Sequence, residues 1–280
     1  MCDLHDQEDL KKYNRRDFAV WAASAGLLSA LPGVANAVAV SEREVTIATP
    51  DGTCDAYFVA PTSGAAPGVL VWPDIFGLRP AFRQMGRRLA ESGYSVLVVN
   101  PFYRQKKAPT AGQGGQTPIA EVLPLMQALT PAMHLSDGKS FVAWLDTQAE
   151  VDKSRKLGTT GYCMGGPIAV RTAVVAPGRV GAVGTLHGAA MVTAAPDSPH
   201  RLVAQTQARY LIAIAENDDK KDPEAKSALR TAFDSAKLSA EVEVFPAAHG
   251  WCPPDTQVYD SAQSERAWAR LLATFGNALA

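Results

Sequence analysis

Gly161-Tyr162-Cys163-Met164-Gly165 sets a thiol between two glycines in the G-x-nucleophile-x-G pattern, which turns a strand sharply into a helix and exposes the central side chain. A thiol held there can attack an acyl carbon if a base takes its proton and a third group fixes the base's tautomer. The chain supplies both in order, Asp218 and then His249. Asp219 and Asp222 are alternative acids, but Glu216-Asn217-Asp218 puts Asp218 nearest the end of the preceding apolar run. The oxyanion of such an attack would be met by backbone N–H groups of Met164, directly after the thiol, and of Ile75.

These residues are useful only if the chain gathers them. The apolar runs Gly68 to Trp72, Ser95 to Val99, Leu157 to Thr160, Val180 to Leu186, Tyr210 to Ala215 and Val242 to Phe245 are continuous rather than alternating, as strands buried on both faces are. A hairpin, Val45 to Thr49 and Cys54 to Val59 around Pro50-Asp51-Gly52, precedes them. Helical patterns fall between the runs at Ala81 to Glu91, Ser136 to Ala149, Pro167 to Ala176, Pro223 to Lys237 and Ser261 to Phe275. The alternation predicts one α/β domain with a mostly parallel central sheet flanked by helices, Lys106 to Pro118 being a surface loop. Ligands of such sheets bind beyond the carboxyl ends of the strands. The residues there are Asp74, Tyr103 with Arg104, Cys163, His187, Asp218 and His249.

WPDIFGL at 72–78, the Tyr103-Arg104 pair, GYCMGG at 161–166, the Asp218 turn and Ala248-His249-Gly250 together resemble the dienelactone hydrolase family, over essentially the whole of residues 38–280. The resemblance implies the α/β-hydrolase fold and a cysteine-dependent hydrolase that opens lactones or cleaves activated esters through a thioacyl intermediate, with water and no cofactor. It implies Cys163, Asp218 and His249 as the catalytic triad. It also implies a carboxylate, here Asp74 where the family's best-known members have Glu, that contacts the resting thiol and helps to deprotonate it. Those members hold the substrate carboxylate with two arginines. Arg104 matches one, while Gly250-Trp251-Cys252-Pro253-Pro254 offers no second. Tyr103, His187 and Trp72 are further candidates for the substrate pocket, although His187 and Trp72 read equally well as packed interior residues, as does Trp251.

Composition narrows the classes. With 27 Lys+Arg against 28 Asp+Glu there is no basic surplus for a nucleic acid, and 47% hydrophobic residues describe a folded chain with a small-molecule ligand. Cys2, Cys54, Cys163 and Cys252 form no C-x-x-C pair, and His249 with Cys252 is too few ligands for a metal site. Cys54, inside a strand run, reads as inert. Arg15-Arg16-Asp17-Phe18, an uncharged run to Ser41 and Ala35-Asn36-Ala37 predict a twin-arginine-type signal peptide over residues 1–37, cleaved after Ala37. This implies delivery by the twin-arginine machinery to the periplasm, without stable membrane insertion after cleavage; an uncleaved membrane anchor is the alternative. A thiol redox or ligand-binding protein on the same fold is the rival reading, since an accessible low-pKa thiol in an oxidising compartment also oxidises.

Overall fold

The computed structural model describes residues 31–112 and 116–279. Among them eight strands form one sheet: β1 (Val40–Thr49), β2 (Gly52–Pro61), β3 (Gly68–Trp72), β4 (Ser95–Val99), β5 (Leu157–Tyr162), β6 (Val180–Leu186), β7 (Arg209–Ala215) and β8 (Ala240–Phe245). The order is β1-β2-β4-β3-β5-β6-β7-β8, antiparallel at β1–β2 and β2–β4 and parallel from β4 onward. The arginine pair and most of the uncharged run of the expected signal lie outside the described residues.

The inner strands need no polar face because both faces are covered. Leu70, Trp72, Leu97, Val99, Val183 and Ile212 point into one core with α3 (Pro131–Leu145), α4 (Gly165–Val175) and α7 (Ala225–Ala236). Their neighbours Val69, Val71, Val96, Val98, Ala182 and Leu211 point into the other, against α1 (Pro80–Glu91) and α8 (Ser261–Ala278). The period-2 pleat thus divides one apolar run between two cores. Edge strand β8 is only partly buried, and Glu241 and Glu243 on it pair with Arg270 and Arg266 of α8.

Helix starts follow local chemistry. Thr130 caps α3 by accepting from the Met133 N–H, and Pro131 takes the first helical position, where a missing N–H costs nothing. The helix therefore begins at Pro131 rather than at Ser136 as the apolar spacing implies. Asp260 caps α8 in the same way. The structure adds α2 (Ile119–Gln127), which carries Pro124 inside it, and the single-turn α5 (Pro199–Leu202). It also winds the acidic run that begins at Glu216, outside every expected helix, into α6 (Glu216–Lys221). Among the described residues no helix is long and apolar enough to cross a membrane.

Candidate active site

The elbow is tightly constrained. Cys163 has φ of 51°, a left-handed conformation that a residue with a Cβ adopts only when its surroundings impose it. Those surroundings are visible: its N–H donates to the Leu186 carbonyl at 3.1 Å, and its own carbonyl accepts from Gly166 and Ala189, each at 3.0 Å. A Cβ at Gly161 would run into the Gly165 carbonyl, and one at Gly165 into the Trp72 carbonyl, so both glycines are required for β5, α4 and the end of β3 to meet. That contact sets Met164, the N-cap of α4, against the loop leading into Asp74 and Ile75. The thiol therefore stands at the positive end of an 11-residue helix, where the field favours a thiolate.

His249 comes from the far side of the sheet. Three strand spacings of about 4.8 Å separate β5 from β8, so a histidine directly above β8 would stand out of reach of the thiol. The loop after β8 closes this gap. The His249 ring lies edge-on to His187 with centroids 4.9 Å apart, and His187 directly follows β6, the strand beside β5. Asp218 in the first turn of α6 binds His249 Nδ1 through Oδ2 at 2.6 Å, leaving Nε2 as the ring's reactive nitrogen. Asn217 Oδ1 accepts from the His249 backbone N–H at 2.8 Å and fixes the loop. Sequence reasoning did not single out Asn217; its signal was an amide in the first helical turn beside the acid. Of the alternative acids, Asp219 holds Lys226 Nζ at 2.8 and 2.9 Å, and Asp222 ends α6.

Several expected site residues have partners within the chain. Asp74 is held by its own loop. Its Oδ1 accepts from the Phe76 N–H at 2.9 Å and from Arg79 at 2.6 Å, and its Oδ2 accepts from Arg79 at 3.0 Å. Arg79, 1% exposed, is gripped from the other side by Asp255 at 2.7 and 2.9 Å. Burial opposes the charge of this guanidinium, yet Asp74 and Asp255 raise its pKa above the ordinary value.

Arg104, expected to receive a substrate carboxylate, is likewise engaged by the chain itself. Its Nε and Nη2 donate to Asp51 at 3.1 and 2.6 Å, and Nη1 and Nη2 donate to Asp137 at 2.8 and 2.7 Å. Tyr103 stacks beneath it and ties its hydroxyl to Asp137 and Thr49, so this pair links the β1–β2 turn to α3. Trp72 and His187 are interior. Trp72 donates from Nε1 to Thr172 at 3.1 Å and packs on Phe141. His187, 1% exposed, is enclosed by Tyr162, Trp251 and His249. Its pKa is held well below the ordinary value by burial and then by His249, so it packs against the His249 ring as a neutral imidazole. Trp251 stacks on Phe245 in the core.

Burial pushes the thiols of Cys54 and Cys252 up, away from the thiolate. Among the described residues no group of three or more His, Cys, Asp or Glu side chains is gathered as for a metal ion. A cavity of about 270 Å³ opens beside His249 and Asp218, walled by the loop 188–193, the end of β7 and the start of α7.

The model of the dienelactone hydrolase family matches residues 54–279. A putative carboxymethylenebutenolidase of Salmonella typhi is 26% identical over 247 residues, covering 85% of this chain and 87% of that protein. The carboxymethylenebutenolidase of Rhodococcus opacus is 28% identical over 118 residues, 42% of each chain. Among solved structures, a putative dienelactone hydrolase from Klebsiella pneumoniae superposes with a TM-score of 0.74 at 24% identity, over 85% of this chain and 99% of that one. The fold, the elbow and the family match over residues 54–279 agree: the chain belongs to the dienelactone hydrolase family and is a hydrolase with the α/β-hydrolase fold.

Proposed function

We propose that the protein hydrolyses lactones or activated carboxylic esters with Cys163 as nucleophile. The observation that carries this reading is the left-handed Cys163 at the start of α4, on the same strand-end rim as the Asp218–His249 pair. His249 Nε2 takes the thiol proton as sulfur attacks the ester carbonyl. The oxyanion is met by the N–H groups of Met164 and Ile75. Collapse breaks the bond to the leaving oxygen, which receives the proton from His249, and leaves a thioester on Cys163. Water then attacks, His249 removing its proton, and the acid and free thiol are restored. Asp218 stabilises the imidazolium in both halves of the cycle. Asp74 has no step; it holds Arg79 and, through it, the loop that presents Ile75.

The test is an excess of a 4-nitrophenyl ester mixed rapidly with the protein. A burst of one nitrophenol per chain, an acyl adduct on the Cys163 peptide, and loss of both in Cys163→Ala are expected. Cys163→Ser should fall by about 10³-fold, because a hydroxyl lacks the acidity of the thiol that the elbow serves. Disulfide exchange without any ester turnover would overturn the proposal in favour of a redox protein.

Export before action is proposed with it. Ala35-Asn36-Ala37 is exposed and lies outside regular structure just before β1, where a signal peptidase could reach it without disturbing the sheet. Envelope protein beginning at Val38, and precursor retained in the cytoplasm when Arg15 and Arg16 are both changed to Lys, are the expected results. Delivery unchanged by that substitution would remove the twin-arginine route.

A further inference from the structure

The contacts that hold His249 pull it in two directions. Asp218 on its ring and Asn217 on its backbone N–H both belong to α6, which follows β7, so they tie the histidine toward β7. His187 pulls from the side of the thiol. It follows β6, the strand beside β5, and its ring meets the His249 ring with centroids 4.9 Å apart and the Trp251 ring at 5.1 Å. The loop after β8 thus clasps His187 with two of its residues.

The backbone on either side of His187 is bonded to the nucleophile itself. The Leu186 carbonyl, one residue before it, accepts from the Cys163 N–H at 3.1 Å, and the Ala189 N–H, two residues after it, donates to the Cys163 carbonyl at 3.0 Å. A Cβ on Gly166 would stand 2.7 Å from the Cα of Gly188, so α4 closes on the same loop. His187 is left-handed like Cys163, with φ of 41°, and a residue with a Cβ keeps such a backbone only where its surroundings hold it. The backbone of His187 therefore moves with the nucleophile while its ring bears on the base.

The ring acts by contact. His187 is buried and neither of its nitrogens has a hydrogen-bond partner among the described residues, so it does not compete with His249 for Asp218. Burial keeps it neutral, and it adds no charge against the imidazolium that forms on His249.

We propose that His187 is a positioning residue, the link that carries the backbone geometry of Cys163 to the ring of His249 and holds Nε2 within reach of the thiol. This rests on Cys163 and His249 acting as described above. A reacting group displaced by about 1 Å can cost on the order of 10²-fold in rate, and a residue that touches no substrate should exact that loss in the chemical step rather than in binding.

The experiment compares His187→Phe, which keeps a ring, with His187→Leu and His187→Met, which fill space without one; all three carry the same left-handed strain. Each protein is mixed with excess 4-nitrophenyl acetate over a range of concentrations. The order of the His249 ring is read separately, in protein with isotopically labelled histidine, from the low-field nuclear magnetic resonance of the proton between Nδ1 and Asp218. His187→Phe should acylate within about threefold of the parent and keep this signal. In the Leu and Met variants that still unfold cooperatively in urea, the maximal burst rate should fall by about 30-fold, the half-saturating ester concentration should stay within about threefold, and the signal should broaden or vanish. Parent-like burst rates and signals in those two variants would overturn the proposal, as would a Phe variant that falls as far as they do. So would a half-saturating concentration that rises in step with the lost rate, which marks a collapsed pocket. Should Leu and Met both fail to fold, the Phe variant decides by its own rate and signal. These outcomes leave the hydrolase reading intact, whereas absence of a burst in the parent would overturn that reading and this proposal with it.

Discussion

The two halves of the strand-end rim are built on opposite terms. Over β5 to β8 stand a left-handed cysteine, a histidine held by one carboxylate, and a buried neutral imidazole packed behind it. Over β1 to β4 stand two arginines whose donors are almost all taken by carboxylates of the chain. The first half keeps groups whose protonation can change during a reaction. The second holds its charges in pairs that stay charged throughout, because an arginine with two carboxylates gains nothing by losing a proton. Under the proposed function the first half does the chemistry and the second is its frame, although a reading of residue types alone assigns recognition to the second.

The sharpest way to break the comparison lies within the reactive half. Asp218→Asn keeps a side chain of the same shape beside His249 but removes the charge that stabilises the imidazolium and fixes its tautomer. A fall in kcat/KM on the order of 10³-fold is expected, with little change in stability. Asp219→Asn, one residue on, disturbs only the pair with Lys226 and should stay within about threefold. Steady-state kinetics on one neutral ester decide it, and comparable losses in both variants would mean that Asp219 shares the role of the acid.

The frame should fail differently. Arg79→Met leaves Asp74 and Asp255 buried without their counter-charge, so a loss of about 3–5 kcal/mol in urea unfolding is expected, while folded molecules keep their rate per thiol within a few-fold. Restoring neutrality with Asp74→Asn and Asp255→Asn in the same chain should recover much of that loss. A variant that stays stable but loses its rate by orders of magnitude would return Asp74 to the chemistry.

What was legible in the sequence follows this division. The inner strands declare themselves because both faces are buried, so continuous runs such as Gly68–Trp72 and Val180–Leu186 have no other physical reading. The elbow is legible because steric crowding permits only glycine at 161 and 165. Helix α2 is not, since Pro118 and Pro124 mimic a loop and the segment packs through tertiary contacts with Phe76 and the neighbouring apolar residues. Helix α6 is not, since Glu216-Asn217-Asp218-Asp219 has weak helix propensity and is stabilised by acidic side chains at its positive end. The engagement of Arg104 and Asp74 is invisible for a simpler reason: their partners Asp51, Asp137 and Arg79 are chosen by tertiary packing, and nothing local marks an arginine as already paired.

The smallest expected effect probes the frame through pH. His134 of α3 is half-buried with both ring nitrogens enclosed, neither nitrogen has a hydrogen-bond partner, and its pKa is pushed down to about 3 from an ordinary 6.5, by burial first and then by Arg171 and Arg104, with Asp197 opposing. Below pH 6.5 the unfolded chain takes up a proton at this ring that the folded chain refuses until about pH 3. Protons therefore drain stability as pH falls through that window, and the loss is absent above it. His134→Leu removes the titration. At pH 7 the variant should match or slightly exceed the parent, because two unsatisfied ring nitrogens are replaced by apolar atoms of similar volume. Between pH 6 and pH 4 the parent should lose about 1 kcal/mol per pH unit relative to the variant, measured by urea unfolding at each pH. His187 titrates in the same direction in the other half, so both proteins share its contribution and the difference isolates α3. A difference that stays flat from pH 7 to pH 4 would mean that the frame admits a charged His134, and that the arginines beside it are less firmly held than their carboxylate partners imply.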